Sequence, residues 1–189
     1  MITFYDEKGN GYGAQVELKT KNAVNGERSI SGTIVSNEQV LSKLDRGWSF
    51  TFEGELYKII YAKPKDEGQN ISLSFDAVHQ FFYDFEHSNC YKEFNGSNRF
   101  EVYIEEIFKN SGYRYVIEAE AKAIRKENFG NASRLKMFKD IIKAAGLEFS
   151  VTGKVVRILK KVGTDLSTVV RKNFNMNELT IEKNIGGFI

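Results

Sequence analysis

One cysteine, one proline and two histidines are all that 189 residues provide of the side chains that most often fix covalent crosslinks, rigid turns and metal sites. Cys90 has no partner for an internal disulfide, which fits synthesis in a reducing cytoplasm. No stretch approaches the roughly 18 continuous apolar residues of a membrane helix. The start, Met1-Ile2-Thr3-Phe4-Tyr5-Asp6, lacks the basic and apolar regions of a signal peptide. A soluble protein outside the general secretory route is expected. Excess charge is scarce too: 27 basic residues face 25 acidic ones, a net of +2. No global field attracts nucleic acid or an anionic membrane, so partners must be recognised by shape and local chemistry. No internal repeat and no low-complexity tract is present.

What the chain does have is apolar material, 41% hydrophobic and 13% aromatic, enough for one sizeable core or two small ones. The first eighty residues read as strands and tight turns. Ile2 to Tyr5 is β-prone, Gly9-Asn10-Gly11-Tyr12-Gly13 is a turn cluster, and Ala14 to Lys19 alternates with period two, which gives a first hairpin. Arg28 to Val35 puts Ile30 and Ile34 on one face, and Gly32 between them signals a bulge or a close approach. Asn37 caps a short helical turn through Val40, Leu41 and Leu44. Trp48 to Phe52 and Leu56 to Tyr61, separated by Gly54-Glu55, form the best hairpin signal, and Pro64 is expected to end the second strand. A loop through Asp66 and Gly68 leads to another alternating run, Ile71 to Phe75. Several short antiparallel strands at close spacing argue for a small barrel or sandwich.

After Asp76 the pattern changes. Ala77 to Phe85 is ambiguous between helix and strand, and Asn89 to Asn98 reads as a loop. A helix capped at Asn98, with Glu101 three residues on, carries Phe100, Ile104, Ile107 and Phe108 at helical spacing and closes at Asn110-Ser111-Gly112. Tyr113 to Ile117 reads as a strand. A second amphipathic helix runs from about Ser133 through Leu135, Phe138, Ile141 and Ile142 to Gly146 at its C-cap. Leu147–Val151 and Lys154–Leu159 flank Thr152-Gly153 as a hairpin, and Glu178 to Lys183 alternates as a last strand. The fold class is therefore α+β: a small antiparallel β-barrel-like domain over 1–85, then a mixed domain over 86–189 with two amphipathic helices and β-hairpins. The apolar end at Gly186-Gly187-Phe188-Ile189 suggests a fragment truncated within that domain.

Chemistry is thin. His79, His87 and Cys90 read as H-x7-H-x2-C, but zinc sites use shorter paired spacings and a fourth ligand, so packing or surface roles are preferred. The same residues supply a Cys–His pair, Cys90 with His79 or His87, that would serve a cell-wall peptidase or hydrolase, yet no third orienting group is singled out. Gly9-x-Gly11-x-Gly13 lacks the strand-to-helix context of a dinucleotide loop. Glu101, Glu105 and Glu106 read as a solvated helix face. From Asn131 to Lys172 ten basic residues stand against three acids, net +7, while the rest of the chain sums to −5. Contact between subunits ranks above nucleic acid for this stretch, and a single-strand nucleic-acid-binding barrel remains a further alternative.

Taken in order, several runs resemble the N-terminal region of the phage minor structural proteins, a family also labelled prophage tail endopeptidase or tail-associated lysin. The carriers are Arg28-Ser29-Ile30-Ser31-Gly32-Thr33-Ile34, Leu56-Tyr57-Lys58-Ile59, Leu73-Ser74-Phe75-Asp76-Ala77 with His79, Leu135 to Ile142, Gly146-Leu147-Glu148-Phe149, and Gly163-Thr164-Asp165 leading to Arg171-Lys172-Asn173-Phe174. The resemblance implies a baseplate-hub fold and a homotrimer at the tail tip. It also implies contact with the distal tail protein and with the tail tube or tape-measure protein, and assembly into the virion from the bacterial host cytoplasm. It places no catalytic, cofactor-binding or metal residue on this segment. No cofactor, membrane, nucleic acid or small-molecule ligand is expected, and any endopeptidase or lysin module belongs downstream.

Overall fold

The computed structural model describes residues 1–35, 38–66 and 71–162. Seven strands form one antiparallel sheet: β1 (Ile2–Tyr5), β2 (Gly11–Ala14), β3 (Val16–Asn22), β4 (Arg28–Val35), β5 (Ser49–Phe52), β6 (Glu55–Asp66) and β7 (Ile71–His79). Their spatial order is β2-β1-β5-β6-β7-β4-β3, and a one-turn helix, α1 (Glu38–Leu41), lies between β4 and β5 in the chain. The edges β2 and β3 are separated in sequence by Gln15 alone. A chain advances only about 3.5 Å per residue, so the sheet must curl until its edges nearly meet. This is the expected barrel-like shape, although no ladder joins β2 to β3 among the described residues.

Period-two alternation sets the inner face. Ile30 and Ile34 of β4, Phe50 of β5, Tyr57 and Ile59 of β6, and Leu73, Phe75 and Ala77 of β7 are buried together with Phe4, Val40 and Trp48. Phe75 meets Phe4 and Phe50 edge-on, with ring centroids 5.5 and 5.6 Å away. Gly32 faces this cluster, and the close approach expected of it is present without a bulge. A Cβ there would lie 2.4 Å from Cζ of Phe75, and β4 keeps an unbroken register with both neighbours.

The turn cluster at Gly9–Gly13 is shorter than its sequence suggests. Asp6 closes the turn by accepting from the backbone N–H of Lys8 and of Asn10, and Gly11 already begins β2. Pro64 does not end its strand: β6 continues to Asp66, with Pro64 opposite Leu73. The ladder with β5 ends at Lys58, so among the described residues the far part of β6 has β7 as its one ladder, and a residue without an N–H is tolerated on such an edge. Asn37, the Gly68 loop, the Gly163 and Arg171–Phe174 runs and the Glu178–Lys183 alternation lie outside the described residues.

The ambiguous stretch after Asp76 divides cleanly: β7 continues to His79, and helix α2 (Gln80–Glu86) follows without an intervening residue. The segment read as a loop holds two short strands, β8 (Asn89–Cys90) and β9 (Phe94–Asn98), because each pairs with a partner far away in sequence. Those partners, β12 (Ala132–Ser133) and β11 (Ile124–Phe129), carry no alternating apolar signal and were invisible to periodicity. Helix α3 (Phe100–Phe108) has Arg99, not Asn98, at its N-cap and no side-chain cap bond; Asn98 belongs to β9 and its amide reaches the Tyr103 hydroxyl. Strand β10 (Arg114–Ile117) precedes β11. Helix α4 (Arg134–Ala145) matches its expected limits, with the Ser133 hydroxyl accepting from the Lys136 N–H and Gly146 in the left-handed region at φ 65°. The hairpin β13 (Glu148–Thr152) and β14 (Val155–Leu159) follows, and β10 pairs with β14 in parallel. Phe81, Phe82, Phe85, Phe100, Tyr103, Ile107, Phe138, Ile141, Phe149 and Ile158 are the centre of a second buried cluster, separate from that of the sheet. The architecture is thus α+β, built mainly from antiparallel sheets.

Candidate functional site

The two buried clusters meet at β7–α2, and the meeting point is polar. Glu55 stands two residues before Tyr57 and four before Ile59, in the inward phase of β6, so the strand carries a carboxylate inward. His79 is the last residue of β7 and the N-cap of α2. Both are buried, at 8% and 1% exposure, and His79 Nε2 lies 2.9 Å from a Glu55 oxygen. The other ring nitrogen, Nδ1, accepts the N–H of Phe81 at 3.2 Å. That bond fixes the tautomer: Nδ1 is bare and Nε2–H donates to the carboxylate.

The same Glu55 oxygen accepts the N–H of Gly153 at 2.8 Å, and the Arg28 guanidinium sits 3.6 Å from the other oxygen. Arg28 also donates to the carbonyl of Val151 at 2.9 Å. The side-chain amide of Asn25 donates to the Leu147 carbonyl at 2.9 Å and accepts from the Phe149 N–H at 2.8 Å. Residues 147, 149, 151 and 153 fall at the period of a strand. Asn25 from the β3–β4 turn, Arg28 of β4 and Glu55 of β6 therefore bind the free edge of β13 and the residues that flank it, as a neighbouring strand would. Aromatic contacts run through the same point, from Phe50 to Tyr57, His79, Phe82 and Phe149, with ring centroids 5.6 to 6.3 Å apart.

Electrostatics follows from this geometry. Burial disfavours the charged carboxylate, but hydrogen bonds from His79 and Gly153 and the charge of Arg28 outweigh it, and Glu55 is held below its ordinary value. Burial lowers His79 as well, against the pull of Glu55 and Asp84. The result is a carboxylate beside a neutral imidazole. The pair looks like a base with its orienting acid, but the nitrogen that would take a proton is occupied by a backbone N–H. It positions structure rather than moving protons. Beside it, a groove of about 260 Å³ is lined by Val24, Arg28, Phe82, Phe149, Val151 and Val162, among others.

The sequence candidates are not brought together. Cys90 is buried in the second cluster, His79 is committed to Glu55, and His87 is exposed at the end of α2, stacked on Tyr83 at 4.2 Å. Among the described residues no group of three or more His, Cys, Asp or Glu side chains is placed to hold a metal ion. Glu101 and Glu105 are solvated as expected, while Glu106 pairs with Lys92 at 3.6 Å and Lys109 at 3.8 Å. The basic stretch is less uniform than its sequence. Arg134 does not join a polar face: it is half-buried and donates to the Ile107 carbonyl at the end of α3. Arg157 is bound to Glu118 by two hydrogen bonds of 2.6 and 2.8 Å. Asn25, Arg28 and Glu55, the residues that build the junction, were not picked out as site residues from sequence.

No family model matches the sequence, and no curated protein matches it. Solved structures do. The fold is similar to that of prophage tail protein gp18 from Listeria monocytogenes EGD-e, with a TM-score of 0.75 and 18% identity over 94% of this chain and 56% of that one. A 43 kDa tail protein of prophage MuSo2 from Shewanella oneidensis matches with a TM-score of 0.58 and 14% identity, over 86% of this chain and 56% of that one. An E. coli component of the type VI secretion system, itself described as structurally similar to the bacteriophage T4 tail proteins gp27 and gp5, matches with a TM-score of 0.50 and 9% identity, over 76% and 48% of the two chains. The chain thus spans about half the length of each.

Proposed function

We propose that this chain is a structural component of a phage or prophage tail tip, a baseplate-hub segment linking the tail tube to downstream modules that face the host cell wall. The observation that carries the reading is the correspondence of nearly the whole chain, curled sheet and helical part alike, to a prophage tail protein. The polar junction supports it: three side chains bond a strand edge and join two cores, which suits a part whose work is to keep its shape within an assembly.

On this reading the chain comprises two domains whose seam lies at His79–Gln80, because α2 packs into the second cluster. Three copies form the homotrimer, and the distal tail protein and the tail tube or tape-measure protein are the neighbours. The protein assembles in the host cytoplasm, ends in the virion and carries no catalytic residue on this segment. Light scattering on the full-length protein, alone and with the distal tail protein, tests the reading. A trimer is expected; a full-length protein that stays monomeric even with that partner present would overturn it.

A further inference from the structure

Among the described residues the chain crosses from the sheet to the helical half once, at His79–Gln80. The halves are also joined by hydrogen bonds that converge on Asn25, Arg28 and Glu55, and by the Lys58 ammonium over the Tyr83 ring. We propose that this junction is an acid-released hinge lock: proton uptake by His79 uncaps α2, and proton uptake by Glu55 frees the turn of the β13–β14 hairpin from the sheet, so that the halves pivot about the His79–Gln80 link.

The geometry gives each proton a separate consequence. A proton on Nδ1 of His79 converts the acceptor of the Phe81 N–H into a second donor pointing at it, so the N-cap of α2 is lost. A proton on Glu55 has two possible seats. On one oxygen it displaces the N–H of Gly153 and of His79, and on the other it faces the Arg28 guanidinium. Either way the hairpin turn loses its charged acceptor. The groups that face the pair are Arg28 from β4, Tyr57 from β6 and Asp84 from α2, with Glu53 in the β5–β6 turn acting on Tyr57. Asn25 does not titrate, so the clasp weakens from one end and the hairpin swings rather than detaches.

The sign is the same for both groups. Each is held below its ordinary value, so its stabilisation is complete above that value and drains as pH falls through the lower folded one. Uncapping of α2 therefore begins below the ordinary histidine value of 6.5, and release of the hairpin turn below the ordinary glutamate value of 4.5.

Amide hydrogen exchange of the whole chain at pH 7, 5 and 4, corrected for intrinsic rates, tests this. The N–H of Phe81 between pH 7 and 5, and that of Gly153 between pH 5 and 4, should lose protection by up to about tenfold per proton taken up and unit of pH, while those of Phe75 and Ile141 keep theirs. Two variants separate the steps. His79→Asn retains a non-titrating cap for the Phe81 N–H and should flatten the response between pH 7 and 5. Glu55→Gln should leave the Gly153 amide poorly protected already at pH 7. Protection that stays flat in the wild-type chain, or that falls equally at the junction and in both cores, overturns the proposal. So does a Glu55→Gln junction that matches the wild type at every pH.

Discussion

Substituting Gly32 by alanine is a small change with a large expected cost. No positive φ is involved, so the backbone accepts a side chain there and space alone decides. The added Cβ would lie 2.4 and 2.6 Å from Cζ and Cε1 of Phe75 and 2.9 Å from Cδ2 of Leu18. Phe75 is buried and held edge-on by Phe4 at 82° and Phe50 at 77°, so its ring has nowhere to retreat. Overpacking a filled core costs about 1–3 kcal/mol. Restricting the unfolded chain returns about 0.4–1 kcal/mol. A net loss of about 1–2 kcal/mol remains, which moves a urea midpoint by roughly 0.5–1 M. Trp48, the only tryptophan, is buried in the same cluster and reports the transition by fluorescence. Adding Phe75→Leu to Gly32→Ala removes the clashing ring atoms, so the two changes should together cost less than their sum. A Gly32→Ala variant as stable as the wild type, or strict additivity in the double variant, would refute the claim that Phe75 is locked.

Two further outcomes are expected. Ser133→Ala removes the hydroxyl that accepts the Lys136 N–H at 3.2 Å and should cost about 1 kcal/mol in thermal unfolding, with Ser133→Thr restoring most of it. Cys90 is buried in the second cluster, so a thiol reagent should label it only as fast as the protein unfolds; in the full-length protein, Cys90→Ala should leave cell-wall turnover unchanged, and activity lost with the thiol would favour a hydrolase.

Where burial alternates or recurs at helical spacing, the sequence was readable. Ile30 with Ile34, Leu73 with Phe75, and Phe138 with Ile141 all placed their elements correctly because one face of each meets a core. Where pairing rests on backbone alone, it was not. β11 and β12 show no alternation of apolar residues, and their partners β9 and β8 were read as loop because the paired residues, from Asn98 with Ile124 to Asn89 with Ser133, stand far apart in sequence. The linker between β11 and β12 is packed against backbone: a Cβ on Gly130 would lie 2.3 Å from the Lys92 carbonyl oxygen, a closeness no single glycine announces. The junction had one legible signal. Glu55 shares the inward phase of Tyr57 and Ile59, and a carboxylate in that phase requires partners. What the sequence withheld was their identity, since Asn25, Arg28, His79 and Gly153 come together only through sheet order β6-β7-β4 and the return of the chain at β13.

That arrangement explains why the junction is polar where an apolar seam would cost less desolvation. The outer edge of β13 offers backbone groups that must be bonded if they are to be covered. A neighbouring strand would bond them but would also merge the two sheets and fix their mutual angle for good. Side chains reaching from Asn25, Arg28 and Glu55 satisfy the same edge at 2.8 to 2.9 Å while leaving the backbones apart. They also read the register, because Gly153 meets a carboxylate and Leu147 and Val151 meet donors, and a shift by one residue would turn those backbone groups toward β14 instead. In the proposed hinge, the bonds that set the angle between the halves are thus ones made and broken without unfolding either core. His79, whose ring joins Tyr57 on one side and Phe82 on the other, is the point where both cores would register the change.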